Sequence, residues 1–213
     1  MIQEPKRWIE NAVDKAFQFQ SKLVPDILAI ESQVGPGTKH LLNNLIFPGA
    51  SYLEIGMRRG ASFVSALYDN DFEKAFGIEN FTECAGYGFE KAIVSNVGKF
   101  LNPKSDGKWV VFFEDAWAFN TGKIPHGSIT VYFYDGPHDE DSHRKAFSVF
   151  APCLADEIIL LVDDWNWDQV RAGTFRGLLE SGFQTLFSME LIKEMTTHWY
   201  NGVFVAHAVR KKT

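Results

Sequence analysis

The chain reads as an α/β domain with a seven-stranded, mostly parallel sheet, helices on both faces and an antiparallel hairpin at its end. Three observations carry that expectation. Apolar runs of strand length alternate with segments whose apolar residues recur at helical spacing. Several runs, such as "IILLV" at 158–162, are almost continuously apolar, as strands covered on both faces are. The last two runs follow each other with no helical segment between them.

Taken in order, apolar residues from Glu4 to Ala29 (Trp8, Ile9, Ala12, Val13, Ala16, Phe17) recur at helical intervals and predict an amphipathic helix. "GPGT" breaks the chain, "KHLLNNLIF" predicts a short helix, and "PGA" stops it before the strand "SYLEI". Then "ASFVSALYD" is helical, "KAFGIE" a strand, "TECAGYGFEKAIVSNVGKFL" helical, and "KWVVFFED" and "SITVYFYD" strands. "DEDSHRKAFSVFAPCL" predicts a helix, "EIILLVDD" a strand and "DQVRAGTFRGLLESG" a helix. "FQTLFSMELI" and "WYNGVFVAHAV", joined by "KEMTTH", form the closing hairpin. We read residues 1–48 as a helical segment packed on a core formed by 49–213, one domain overall.

Composition bounds the function. Of 213 residues 46% are hydrophobic and 23% charged, ordinary globular usage. The net charge of −6, without a basic block longer than "RKK", argues against nucleic acid as a partner. No apolar stretch approaches the roughly 20 residues of a membrane span, and residues 1–30 carry scattered acids and no apolar centre, so no membrane partner or signal peptide is expected. Cys84 and Cys153 form neither a CxxC pair nor a framework, which suits a reducing, cytoplasmic setting. The N-terminal helix would cover the sheet or a partner, which leaves a homo-oligomer open.

The end of the first strand, "YLEIGMRRGAS", is where an open α/β sheet places a ligand. A pyrophosphate-binding turn needs G-x-G-x-x-G, and here Arg58 and Ala61 stand at the second and third glycine positions. That counts against a nicotinamide-dependent oxidoreductase. The pattern present, acidic-x-Gly-x-x-x-Gly (Glu54, Gly56, Gly60), resembles the first motif of class I S-adenosylmethionine-dependent methyltransferases. The resemblance implies their Rossmann-like sheet order, 3-2-1-4-5-7-6. It also implies a glycine turn lying against the methionine part of the cofactor, with Glu54 serving its amino end and Ser62 beside it. Glu79 lies 19 residues after Gly60, near the spacing at which a carboxylate takes ribose hydroxyls. By the same resemblance Asp115 contacts the adenine amino group and Ala116 and Trp117 line the base.

Two further strand ends carry acids. Asp135 ends the fourth strand, Asp163 and Asp164 the fifth, and neighbouring strands lie ~4.8 Å apart. Converging carboxylates need a compensating cation, and oxygen-only ligands favour Mg2+, with Mn2+ or Ca2+ as alternatives. His138, three residues after Asp135, is the general-base candidate. Asp-Gly-x-His at 135–138 with Asp-Asp at 163–164 resembles the metal-dependent sugar O-methyltransferases of the macrocin and mycinamicin type. In that group the three acids bind Mg2+. Some members use an Asp two places after the first ligand as base and others a His three places after it; here Pro137 leaves only the histidine version. The expectation is a Mg2+- or Mn2+-dependent O-methyltransferase that acts on a hydroxylated small molecule, with Asp135 and His138 catalytic. A non-catalytic S-adenosylmethionine-binding protein is the alternative. Trp165 and Trp167 are candidates for an aromatic wall.

Overall fold

The computed structural model of the chain describes residues 3–81, 88–105, 107–192 and 198–211. The strands are β1 (Ala50–Ile55), β2 (Phe72–Ile78), β3 (Trp109–Phe112), β4 (Ile129–Tyr134), β5 (Leu154–Asp163), β6 (Phe183–Leu191) and β7 (Val203–Arg210). They make one sheet in the order β3-β2-β1-β4-β5-β7-β6. β1 to β5 pair in parallel, and β7 runs antiparallel to both β5 and β6. This is the expected Rossmann-like order with its closing hairpin. Strand order reverses between β1 and β4, so their carboxyl ends open a crevice at that point.

The helices are α1 (Pro5–Phe17), α2 (Pro25–Leu28), α3 (Pro36–Leu45), α4 (Ala61–Leu67), α5 (Phe89–Ser105), α6 (Glu140–Phe150) and α7 (Asp168–Glu180). Successive side chains of a strand point to opposite faces, and each face acquires its own core. Tyr52, Val131, Phe133, Ile159, Leu161, Val203 and Val205 pack with buried residues of α1 and α3 to α5. Leu53, Ile55, Tyr132, Tyr134, Leu160, Val162 and Phe204 pack with α6 and α7. α1 buries Ile9, Ala12, Val13 and Ala16 in the first of these clusters, so its apolar stripe is spent on its own chain. On that basis we propose that 1–48 is a layer of the same domain as 49–213.

Two expectations are corrected. The helix expected over 4–29 is two, because Phe19 turns left-handed (φ 53°), the amides of Gln18, Phe19 and Gln20 close back on Lys15 and Ala16, and Pro25 restarts the helix. "GPGT" opens α3 rather than breaking the chain: Pro36 occupies the first turn, where its missing N–H costs nothing. The early part of the helix expected from Thr82, and all of "KEMTTH" before His198, lie outside the described residues. Among the described residues no helix is long and apolar enough to cross a membrane.

Candidate active site

A cavity of about 710 Å³ opens at the carboxyl ends of β1, β2, β4 and β5. Its floor begins with the turn after β1. Gly56 has φ 87°, and a Cβ there would lie 1.9 Å from the Asp135 carbonyl oxygen. The residue must be glycine because β1 and β4 close on each other at this point, whatever ligand lies above. Gly60 (φ 78°) is the left-handed N-cap of α4.

Glu54 lies under this turn and not on the cavity wall. It is fully buried and accepts hydrogen bonds from the Tyr52 and Ser62 hydroxyls. Burial raises its pKa to about 8, the two hydroxyl bonds oppose the rise, and the charge of Glu79 adds to it. Glu79 does line the cavity. One of its oxygens accepts from the Met57 and Arg58 amides (2.8 and 2.7 Å), the other from the Phe81 amide (2.9 Å), so this carboxylate shapes the loop after β1. Ser62, Asp115, Ala116 and Trp117 line the same cavity, and Asp115 Oδ1 takes the Trp117 amide at 3.0 Å. Gly60 is outside the lining, at the head of α4.

Asp135, Asp163 and Asp164 meet further along the cavity. Each offers a carboxylate oxygen within 4.8 Å of the others. Desolvation, then the charges of Asp163 and Asp164, hold the Asp135 carboxyl well above the usual range; desolvation, then Asp164, does the same for Asp163. Among the described residues no lysine or arginine pairs with any of the three. The site is a set of hard, oxygen-only donors short of positive charge, which is the chemistry a divalent cation satisfies. Asp164 holds its backbone left-handed (φ 57°) and faces His138 Nδ1 at 3.1 Å. His143, by contrast, sits buried in α6 against Thr174, its pKa lowered to about 3 chiefly by burial.

A family model described as a methyltransferase domain matches residues 53–165, more than half of the chain. The chain belongs to that methyltransferase family. It is a class I S-adenosylmethionine-dependent enzyme, and the nicotinamide reading falls. No curated protein matches the methyltransferase in sequence. Its fold is shared with M. jannaschii TYW2 in complex with AdoMet, at TM-score 0.61, 10% identity and coverage of 85% of this chain and 78% of that one. A precorrin-6y C5,15-methyltransferase from Geobacter metallireducens is similar at TM-score 0.60 and 12% identity, covering 89% and 98%. A proposed RNA methyltransferase from Pyrococcus horikoshii is similar at TM-score 0.56 and 14% identity, covering 99% of both chains.

The methyltransferase also has cavity residues to which no motif pointed. Ser32, Gln33 and Val34 come from the segment between α2 and α3, Tyr200 and Asn201 from the approach to β7. Asn201 Nδ2 donates to Asp164 Oδ1 at 2.7 Å. "YNG" reads locally as part of a strand or its turn, and only the β5–β7 pairing brings it to Asp164. The two tryptophans named for an aromatic wall part company. Trp167 lines the cavity edge-on to His138, ring centres 5.0 Å apart, whereas Trp165 is fully buried and stacked on Phe204 at 4.1 Å.

Proposed function

We propose that the protein is a metal-dependent O-methyltransferase that moves the methyl group of S-adenosylmethionine to a hydroxyl of a small molecule, a sugar or secondary metabolite. The observation that carries the reading is the meeting of three carboxylates, with no lysine or arginine beside them among the described residues, and a histidine in the cavity of a methyltransferase fold. In this reading the loop after β1, with Gly56 and Gly60, holds the methionine part of the cofactor. Ser62 and Asp135 flank it, Glu79 takes the ribose hydroxyls, and Asp115 with Ala116 takes the adenine. Glu54 serves the amino end through the turn it supports, since it is fully buried and off the cavity wall.

Asp135, Asp163 and Asp164 would hold Mg2+ or Mn2+. When bound, such a cation supplies positive charge that makes a nearby hydroxyl easier to deprotonate. The acceptor oxygen gains the methyl carbon as the carbon–sulfur bond breaks, and its proton leaves to His138. The cavity walls align acceptor and cofactor, a positioning effect of large size. The net charge of −6 and the acid-lined cavity favour a small acceptor over RNA, the substrate class named for the P. horikoshii neighbour. The same reading places the protein in the cytoplasm, on its unpatterned cysteines.

The test is transfer of labelled methyl from S-adenosylmethionine to a panel of deoxysugars, catechols and an RNA pool, with and without EDTA. Transfer to a hydroxylated small molecule, abolished by EDTA and restored by Mg2+ or Mn2+, is expected. Transfer to RNA alone would overturn the acceptor class, and transfer indifferent to EDTA would remove the metal. A protein that binds S-adenosylhomocysteine yet turns over no acceptor would return the reading to the non-catalytic alternative.

A further inference from the structure

The cavity is lined by charge of mostly one sign. Its lining includes six carboxylates, on Glu79, Glu114, Asp115, Asp135, Asp163 and Asp164, and two arginines, Arg58 and Arg59. Both arginines sit in the turn after β1. The Gly60 amide closes that turn on the Met57 carbonyl (2.6 Å), which leaves Arg58 and Arg59 at its tip. Arg58 has φ 48°, a left-handed conformation that an arginine seldom adopts and that persists only where the surroundings impose it. Here they do: Glu79 holds its amide (2.7 Å), and Asn96 of α5 donates to the Arg59 carbonyl (2.9 Å). The two side chains differ in their partners. Arg59 pairs with Glu31 at 3.1 Å, and its guanidinium carbon lies 4.6 Å from the centre of the Phe89 ring. The guanidinium of Arg58 meets the same ring at 5.5 Å, and no acid among the described residues pairs with it.

We infer that Arg58 binds the carboxylate of the methionine part of S-adenosylmethionine, the one anionic group that this acid-lined cavity has to admit with its cofactor. The inference rests on the cofactor placement proposed above and specifies it. S-adenosylmethionine carries a sulfonium and an ammonium, both positive, and a single carboxylate. The acids of the cavity suit the two cations, and every one of them repels the carboxylate. In the proposed placement the methionine part lies against the turn after β1, so its carboxylate comes to the stretch of lining that carries the arginines. Of these, Arg59 is already paired with Glu31, whereas no described acid compensates the charge of Arg58. A guanidinium offers two parallel N–H donors to the two oxygens of a carboxylate, and no hydrogen bond within the described fold uses those of Arg58.

Isothermal titration calorimetry of the full chain with two probes tests it, and no acceptor is needed. One probe is S-adenosylhomocysteine, the other 5′-deoxy-5′-(3-aminopropylthio)adenosine, the same molecule without its carboxylate. Both keep the adenosine and the ammonium, so contacts with those groups cancel in the ratio of the two affinities. The wild type should prefer S-adenosylhomocysteine about 10- to 100-fold, the size of a hydrogen-bonded contact between charged groups. Arg58→Gln should shrink that preference to about threefold or less, through weaker binding of S-adenosylhomocysteine alone. Arg58→Lys keeps the charge without the fork and should fall between, and Arg59→Gln should keep the wild-type preference. The ratio is taken within one protein, so a variant that only loosens the turn weakens both probes alike and leaves it unchanged. That unchanged ratio in Arg58→Gln, which is also the result if Arg58 serves an acidic group of the acceptor, would overturn the inference. So would a wild type that binds both probes equally, or a preference lost in Arg59→Gln and kept in Arg58→Gln. A wild type that binds neither probe would remove the cofactor placement itself, so the two failures read differently.

Discussion

At position 54 a carboxyl group with no solvent exposure lies between two hydroxyls, and its environment sets its charge. The folded protein holds the Glu54 proton up to about pH 8, whereas the unfolded chain releases it near pH 4.3. Between those values the folded state binds the extra proton, so stability falls as pH rises, by at most about 1.4 kcal/mol per unit for one group. Glu54→Gln keeps the shape and an acceptor for Tyr52 and removes the titration. Thermal melts between pH 5 and 8 should therefore decline less steeply for Glu54→Gln than for the wild type. Parallel curves would show that Glu54 is ionised in the fold. The acid was legible in the strand "YLEI"; its burial beneath the turn was not, because the Ser62 hydroxyl reaches it only when α4 packs on β1.

At the scale of elements, the decisive contact is the one between the ends of β1 and β4. The Asp135 amide donates to the Ile55 carbonyl at 2.9 Å, and the Asp135 carbonyl fills the space a side chain at 56 would need. Gly56→Ala meets both a positive φ and a backbone carbonyl, so we expect a loss of about 3 kcal/mol or more in urea unfolding. Cofactor affinity should fall with it as the turn shifts. A loss under 1 kcal/mol would mean that the strand ends separate freely. Sequence spacing singled out Gly56 as a ligand glycine, but its nearest neighbour is the chain itself. The N-terminal elements make the complementary case. Periodicity ran one helix through 4–29, because neither the left-handed Phe19 nor the lining role of Ser32 to Val34 leaves a periodic signal.

For the molecule as a whole, we propose that the cofactor lies across the ends of β1 and β2, where the cavity opens. A ligand that binds only the folded state at 100 times its Kd adds about 2.7 kcal/mol. For a domain of this size each kcal/mol moves Tm by roughly 2–4 °C. Saturating S-adenosylhomocysteine should therefore raise Tm by about 5–11 °C, measured by calorimetry, while NAD at the same concentration leaves it unchanged. Equal shifts from both ligands would contradict a turn that lacks the pyrophosphate glycine. The proposal of a small acceptor rests at this scale on the net charge of −6, which offers a phosphate backbone no attraction.

The sequence by itself determined the seven strands, the closing hairpin and the acids at the strand ends, because burial on a sheet writes a local periodicity that neighbours along the chain reveal. It also carried the methyltransferase resemblance. Only the tertiary structure decided which of those groups share a site. It set Glu54 and Trp165 in the interior, left Glu79, His138 and Trp167 on the cavity, and brought Asn201 to Asp164 from 37 positions away. Contacts of that kind depend on strand order and on how the elements close on one another, and no spacing along the chain encodes them.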